Sequence, residues 1–198
     1  MKKVIIFLAG AFLMTALNCQ KGKTEVNQST AAEVQTPAPT QALDEEVLKN
    51  YAAEAQQLLG SQLKQKIAEG GAENALEFCN INAIPLTDSI SKKYSVTIKR
   101  VSDKYRNPDN AANASELAVI TTYKAMLAEG KMPKGLLKDN HYYAPIVTNA
   151  MCLQCHGTPG KELAEKTHQK IKSLYPDDKA TGYGVDELRG IFSIEVNP

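Results

Sequence analysis

Over residues 47–67 the apolar positions Val47, Tyr51, Ala55, Leu58, Leu59, Leu63 and Ile67 recur at spacings of three and four, which places them on one face of a long helix. Asp44, Glu45 and Glu46 stand at its positive end, and Gly70-Gly71 is expected to stop it. A second helix carries Ala72, Leu76, Cys79 and Ala83 on one face; Pro85, lacking an amide proton, is expected to kink or end it. Over 95–102 the period falls to two, Val96 and Ile98 alternating with Thr97 and Lys99, the signature of a strand. Asn113 with Glu116 reads as a capping box that opens a helix through Leu117, Ile120 and Leu127 to Gly130. Residues 142–147 and 191–196 read as further strands, and in the last one Phe192, Ile194 and Val196 share a face. This order of elements predicts an α+β domain: helices, one of them long and N-terminal, packed on an antiparallel sheet.

The start of the chain follows a different pattern. Lys2 and Lys3 precede an apolar run over 4–17 broken only by Gly10 and Thr15, short for a bilayer span and suited to a secretory leader. It ends at Ala16-Leu17-Asn18-Cys19, which resembles a bacterial lipobox, with Ala16 where Leu is usual and Asn18 where a small residue is usual. Residues 1–18 are therefore expected to be a lipoprotein signal peptide, and Cys19 the acylated new N-terminus; an ordinary cleaved leader is the alternative. Residues 20–42 contain no Leu, Ile, Phe or Tyr and much Thr, Gln, Ser, Ala and Pro, too little apolar surface to offset ordering. Residues 19–42 thus read as a lipidated cysteine and a disordered tether, and 43–198 as one folded domain.

Composition narrows the function. The 198 residues are 43% hydrophobic and 23% charged, which excludes collagen and wholesale disorder, and 4 Cys are too few for a disulfide-dense miniprotein. The 23 Lys and Arg balance 22 Asp and Glu, and loss of Lys2 and Lys3 turns the small positive charge negative. No basic footprint for nucleic acid remains.

Most of the chemistry lies in Cys152-Leu153-Gln154-Cys155-His156, which is C-x-x-C-H, the attachment sequence for c-type haem. Two thiols one helical turn apart reach the two vinyl groups on one porphyrin edge, and the next residue, His156, is placed to give an imidazole nitrogen to the iron. Two other chemistries fit parts of the pattern. A redox disulfide needs a strand-turn-helix context that does not precede it. A zinc site would combine Cys79, Cys152 and Cys155 with His141, His156 or His168, and adjacent Cys155 and His156 share one tetrahedral ion poorly. The prediction is one covalent haem c, with the zinc-binding module as the alternative.

Lipid on Cys19 and thioethers on Cys152 and Cys155 leave Cys79 unpaired. It is either a small buried hydrophobe beside Leu76 and Ala83, or a thiolate on the distal side of the iron. Met126 and Met132 read as packing residues, Met151 adjoins the motif too closely to cross the haem, and His168 lies in polar company. His141 is the second candidate for the sixth position. Period two places Arg100 on the same inward face as Val96 and Ile98, where a charge needs a partner; haem propionates offer carboxylates of matching planar geometry. Arg106 and Asn107 follow in a loop that would close over the same edge, and Tyr143, Tyr175 and Tyr183 are candidate pocket walls, or plain core.

Several segments resemble a family of bacterial PAS-like c-type haem domains, found alone and as extracytoplasmic sensor modules of histidine kinases. They are Phe78-Cys79-Asn80 with Ile84-Pro85, Arg100-Val101-Ser102, Arg106-Asn107-Pro108-Asp109-Asn110, Tyr143-Ala144-Pro145, the haem motif itself, Tyr175-Pro176 through Tyr183, and Arg189-Gly190. Their order and spacing cover 43–196, and one departure is Ser115, where the family carries Trp. The resemblance implies a PAS-like fold and His/Cys axial ligation, at positions matching His156 and Cys79. An anionic thiolate would hold the reduction potential low, which suits electron transfer or a redox or gas sensor. No H-E-x-x-H, G-x-S-x-G or phosphate-loop pattern appears, so the expectation is a carrier or sensor rather than an enzyme; a peroxidase or nitrite reductase would need an open distal site. The sequence also predicts a location on the periplasmic face of a bacterial membrane, held by the lipid anchor, and a separate redox or signalling protein as partner.

Overall fold

A computed structural model describes residues 44–196. The predicted leader, Cys19 and the tether over 20–42 lie outside the described residues.

Helix α1 (Glu45–Tyr94) is two arms joined where Gly70 and Gly71 leave helical geometry, Gly71 at φ 76°, a conformation that favours a residue without Cβ. The arms fold back on one another: Tyr51 stacks on Tyr94 with centroids 3.8 Å apart, Lys93 Nζ reaches Glu54 at 2.7 Å, and the Asn74 amide donates to Lys66 O. The sequence placed this stop correctly. It erred at Pro85, because the second arm runs through that residue to Tyr94. Buried Thr87 and Ile90 pin the continuation, and Thr87 Oγ1 takes up the Ala83 carbonyl at 3.0 Å.

After a left-handed turn at Ser95, β1 (Val96–Val101) leads into a short 3-10 turn (Pro108–Asn110) and then α2 (Ala114–Ala128). The predicted capping box opens α2, with Asn113 and Glu116 each bonding the other's backbone amide. β2 (Leu136–Lys138) and β3 (His141–Val147) follow, then α3 (Leu153–His156), α4 (Glu165–Leu174) and β4 (Leu188–Val196). β2, α3 and α4 carry too short or too polar a pattern to have been read from periodicity.

All strand pairs are antiparallel, in the order β1-β4-β3-β2. One face carries Val96, Ile98, Tyr142, Phe192 and Ile194 against Leu48, Ala52, Ala55 and Ile90 of α1. The other packs Val101, Tyr143, Leu188 and Ile191 on Val119, Ile120 and Tyr123 of α2. The fold is therefore the predicted α+β type, a helix hairpin and a single helix on opposite faces of one sheet. α4 closes one end of the hairpin: its Ile171, with Leu163 from the preceding turn, is buried on Leu76, and Lys170 pairs with Glu77 at 2.6 Å. No helix among the described residues is long and apolar enough to cross a membrane.

Candidate functional site

Where the second arm of α1, the end of β1 and the Cys152–His156 segment meet, the structure has a cleft of about 330 Å³. That lies in the range of cofactor sites, about 300–1,000 Å³. Leu59, Leu63, Ile67 and Phe192 supply apolar walls, and Cys79, Arg100, Arg106, Asn107, Cys152, Cys155, His156 and Arg189 all line the same space. Residues separated by more than a hundred positions, Cys79 and Arg189, are thus brought together by the hairpin and the last strand.

The motif folds as its spacing requires. Asn149 Oδ1 accepts from the amides of Met151 and Cys152, and the amide of His156 donates to Cys152 O at 3.0 Å, so one turn separates the two sulfurs. Gly157 then donates to Leu153 O; a Cβ there would stand 2.6 Å from that oxygen. His156 Nδ1 lies 2.7 Å from Ala180 O, which fixes the proton on Nδ1 and leaves the Nε2 lone pair for a metal. Burial first, then the charges of Arg189 and Arg106, hold the imidazole well below its usual pKa and keep it neutral, the form that ligates. Tyr183 stands edge-on behind the ring at 6.2 Å.

Burial pushes the Cys155 thiol up to about 11, and raises Cys79 as well against the opposing pull of Arg100 and Arg106. Both sulfurs are protonated at neutral pH in this environment. Arg106 donates from Nε to Asp178 Oδ1 at 3.0 Å and from Nη2 to Cys155 O at 2.6 Å and Ala180 O at 3.3 Å. Asn107 uses its Oδ1 to cap the 3-10 turn through the Asp109 amide.

The site residues read from the sequence converge here, with exceptions. Tyr143 is not at the cleft: it points to the α2 face, buried at 3% exposure, and borders a second cavity with Ser115 and His141. Its assignment to the cofactor is corrected, because alternation along β3 turns it away from Tyr142 and Ala144. His141 shares that distant location, with Nδ1 bonded to Asp139 O at 2.8 Å, so it is no candidate for the sixth position. Of the other tyrosines, Tyr175 lines the cleft, while Tyr183 backs His156. Among the described residues no three His, Cys, Asp or Glu side chains stand close enough together to hold a metal ion.

Arg189 was missed as a site residue. β3 Ile146 faces Gly190 and the next residue, Val147, faces Leu188, so Arg189 is the extra residue of a β-bulge. A bulge re-aims its side chain. Strict alternation from Phe192 sends Arg189 to the α2 face, whereas it enters the cleft, with Nη1 3.2 Å from Lys104 O and Nε 3.4 Å from His156 Nε2. An Arg-Gly pair at a strand start was the available signal.

The donor set fits an iron porphyrin: paired sulfurs on one turn, a neutral imidazole with one nitrogen committed, a third sulfur from the hairpin, and apolar walls. A sequence model of the family described as Tll0287-like matches residues 21–197. The chain belongs to this family. Its fold also matches the crystal structure of the cyanobacterial heme-protein Tll0287, with TM-score 0.57 and 24% identity over 78% of this chain and 96% of that one. That likeness is one of fold, and it agrees with the α+β architecture of helices on an antiparallel sheet. No curated protein matches the sequence.

Proposed function

We propose that this chain is an exported c-type cytochrome with one covalent haem, serving low-potential electron transfer or redox or gas sensing rather than catalysis. One observation carries the reading: Cys152, Cys155, His156 and Cys79 face a single cleft while His156 Nδ1 is committed to Ala180 O. Family membership, and a fold shared with a protein described as a heme-protein, support it.

In this reading Cys152 and Cys155 hold the porphyrin edge as thioethers, His156 offers Nε2, and Cys79 offers a second axial ligand. The haem supplies a one-electron iron couple. A Cys79 thiolate favours the ferric state and lowers the potential relative to a His/Met site. Burial favours the Cys79 thiol over the thiolate, so a Cys79 sulfur released from such a site would be held protonated, the opening a sensor would need. Leu59, Leu63, Ile67 and Phe192 give the site apolar walls. The same reading puts the protein on the periplasmic face of a bacterial membrane, anchored through acylated Cys19, with a redox or signalling protein as its partner.

The test is production with haem-attachment machinery. The expected product has a Soret band that survives acid-acetone extraction and the mass of one haem added to the processed chain. A colourless protein without that mass overturns the reading. Labelling with palmitate is expected in the wild type and absent in Cys19→Ser.

A further inference from the structure

Three guanidinium groups, those of Arg100, Arg106 and Arg189, line the cleft, and the carboxylate of Asp178 pairs with Arg106 alone. The three are not equivalent. Arg106 is occupied: its Nε and Nη2 reach Asp178, Cys155 O and Ala180 O, and its side chain is 11% exposed. The guanidinium of Arg100, opposite Phe192 in the β1–β4 register, makes neither a side-chain hydrogen bond nor an ion pair among the described residues. Arg189 has no carboxylate within ion-pair distance there, and its two polar contacts are with Lys104 O at 3.2 Å and His156 Nε2 at 3.4 Å. The latter is longer than an ordinary N–H bond, about 2.7–3.2 Å, and ends on the nitrogen that the proposed haem reading gives to iron. A metal on that nitrogen would take the lone pair that Arg189 Nε faces and leave the head group only its contact with Lys104 O. Two cations without counter-charge in a desolvated cleft are costly unless a ligand supplies two anions.

The geometry points to Arg100 and Arg189 as the pair that receives the two carboxylates of the porphyrin, with Arg106 acting as a positioning residue that clamps the Cys155 and Ala180 backbone to Asp178. This rests on the haem reading and refines it: it divides the work among three arginines and gives the ligand edge an orientation. The planar fork of each guanidinium matches a carboxylate bidentately, which a lysine would not do.

The experiment compares two probes on the full chain made without haem attachment and kept reduced: ferric protoporphyrin IX and its dimethyl ester, which lacks both charges. The ratio of their affinities, read by Soret titration, compares ligands on the same folded protein and so is insensitive to a partly unfolded variant. The wild type is expected to prefer the diacid by roughly 100-fold or more, charge-assisted hydrogen bonds being worth about tenfold or more each. Arg100→Gln and Arg189→Gln should each reduce that preference about tenfold, and the double variant should bring it near parity. Arg106→Gln should keep the wild-type ratio while lowering the unfolding midpoint. A wild-type ratio near one, an unchanged ratio in Arg189→Gln, or its collapse in Arg106→Gln overturns the assignment while leaving haem binding intact. Failure of the wild type to bind either probe overturns the assignment and the haem reading together.

Discussion

The Nδ1 atom of His156 lies 2.7 Å from the carbonyl oxygen of Ala180, across a loop that the haem motif does not contain. The Ala180 amide in turn donates to Asp178 Oδ1 at 3.1 Å, and Arg106 bridges Asp178, Cys155 O and Ala180 O. The orientation of the His156 imidazole is therefore set by an ion pair on its far side, which connects packing of the loop to the lone pair at Nε2.

That connection predicts the behaviour of Asp178 variants. Its side chain is 7% exposed and Arg106's is 11%, so Asp178→Ala leaves a buried guanidinium without its counter-charge, a loss of about 3–5 kcal/mol. Asp178→Asn keeps an acceptor for the Ala180 amide and should lose less. Urea unfolding of the haem-free chain measures both as a lower midpoint at unchanged slope. Wild-type stability in Asp178→Ala would show the clamp to be idle.

Cys79→Ser separates the two readings of that residue. As an axial ligand, its loss should shift the ferric spectrum and raise the midpoint potential, on the order of 100 mV within the ~0.8 V that axial ligation spans. As a small buried packing residue, it should leave both unchanged and cost only stability. Absorption spectra and a potentiometric titration of the wild type and the variant decide between them.

Much of this site was legible because its residues obey local rules. Cys152, Cys155 and His156 form a contiguous motif, and Arg100 keeps period two with Val96 and Ile98, so its inward direction followed from the strand. The hairpin stop at Gly70-Gly71 and the cap at Asn113 are equally local. Arg189 and Tyr143 were misjudged for tertiary reasons. A bulge between β3 and β4 breaks the alternation at Arg189, and only the sheet register reveals it. Tyr143 is close in sequence to the motif but belongs to the opposite face, a distinction that a resemblance between segments does not carry. Pro85 was read as a breaker because propensity alone ignores the burial of Thr87 and Ile90 beyond it.

The correction for Tyr143 has its own consequence. Its backbone oxygen accepts from Tyr123 Oη at 2.9 Å, and its side chain packs beside Val119 and Ile120, remote from the cleft. Tyr143→Leu should cost about 0.5–3 kcal/mol as a core change that trades a ring for a smaller apolar side chain. Its Soret spectrum and its affinity for ferric protoporphyrin should match the wild type, measured on the folded fraction. A spectral shift would return this tyrosine to the pocket.

Gly190 joins the fold to the site at its tightest point. A Cβ there would stand 2.4 Å from Val101 O and 3.3 Å from Ser102 Cβ, so the obstacle is backbone and cannot swing aside. Ser102 Oγ also donates to Arg189 O at 2.8 Å, which ties the same crossing to the bulge that aims Arg189 into the cleft. Gly190→Ala should therefore force β1 and β4 apart, at a cost of about 1–3 kcal/mol or more, and weaken binding of the diacid porphyrin. Gly60 is the control within the same cleft lining: it is helical, with open space around its missing Cβ. Gly60→Ala should raise stability by about 0.5–1 kcal/mol through helix propensity alone. Thermal unfolding should separate the two variants, the midpoint falling in Gly190→Ala and rising in Gly60→Ala, and porphyrin titration should show a lower affinity in Gly190→Ala alone. An undisturbed Gly190→Ala would mean that the β1–β4 crossing is looser than its 2.4 Å clearance requires.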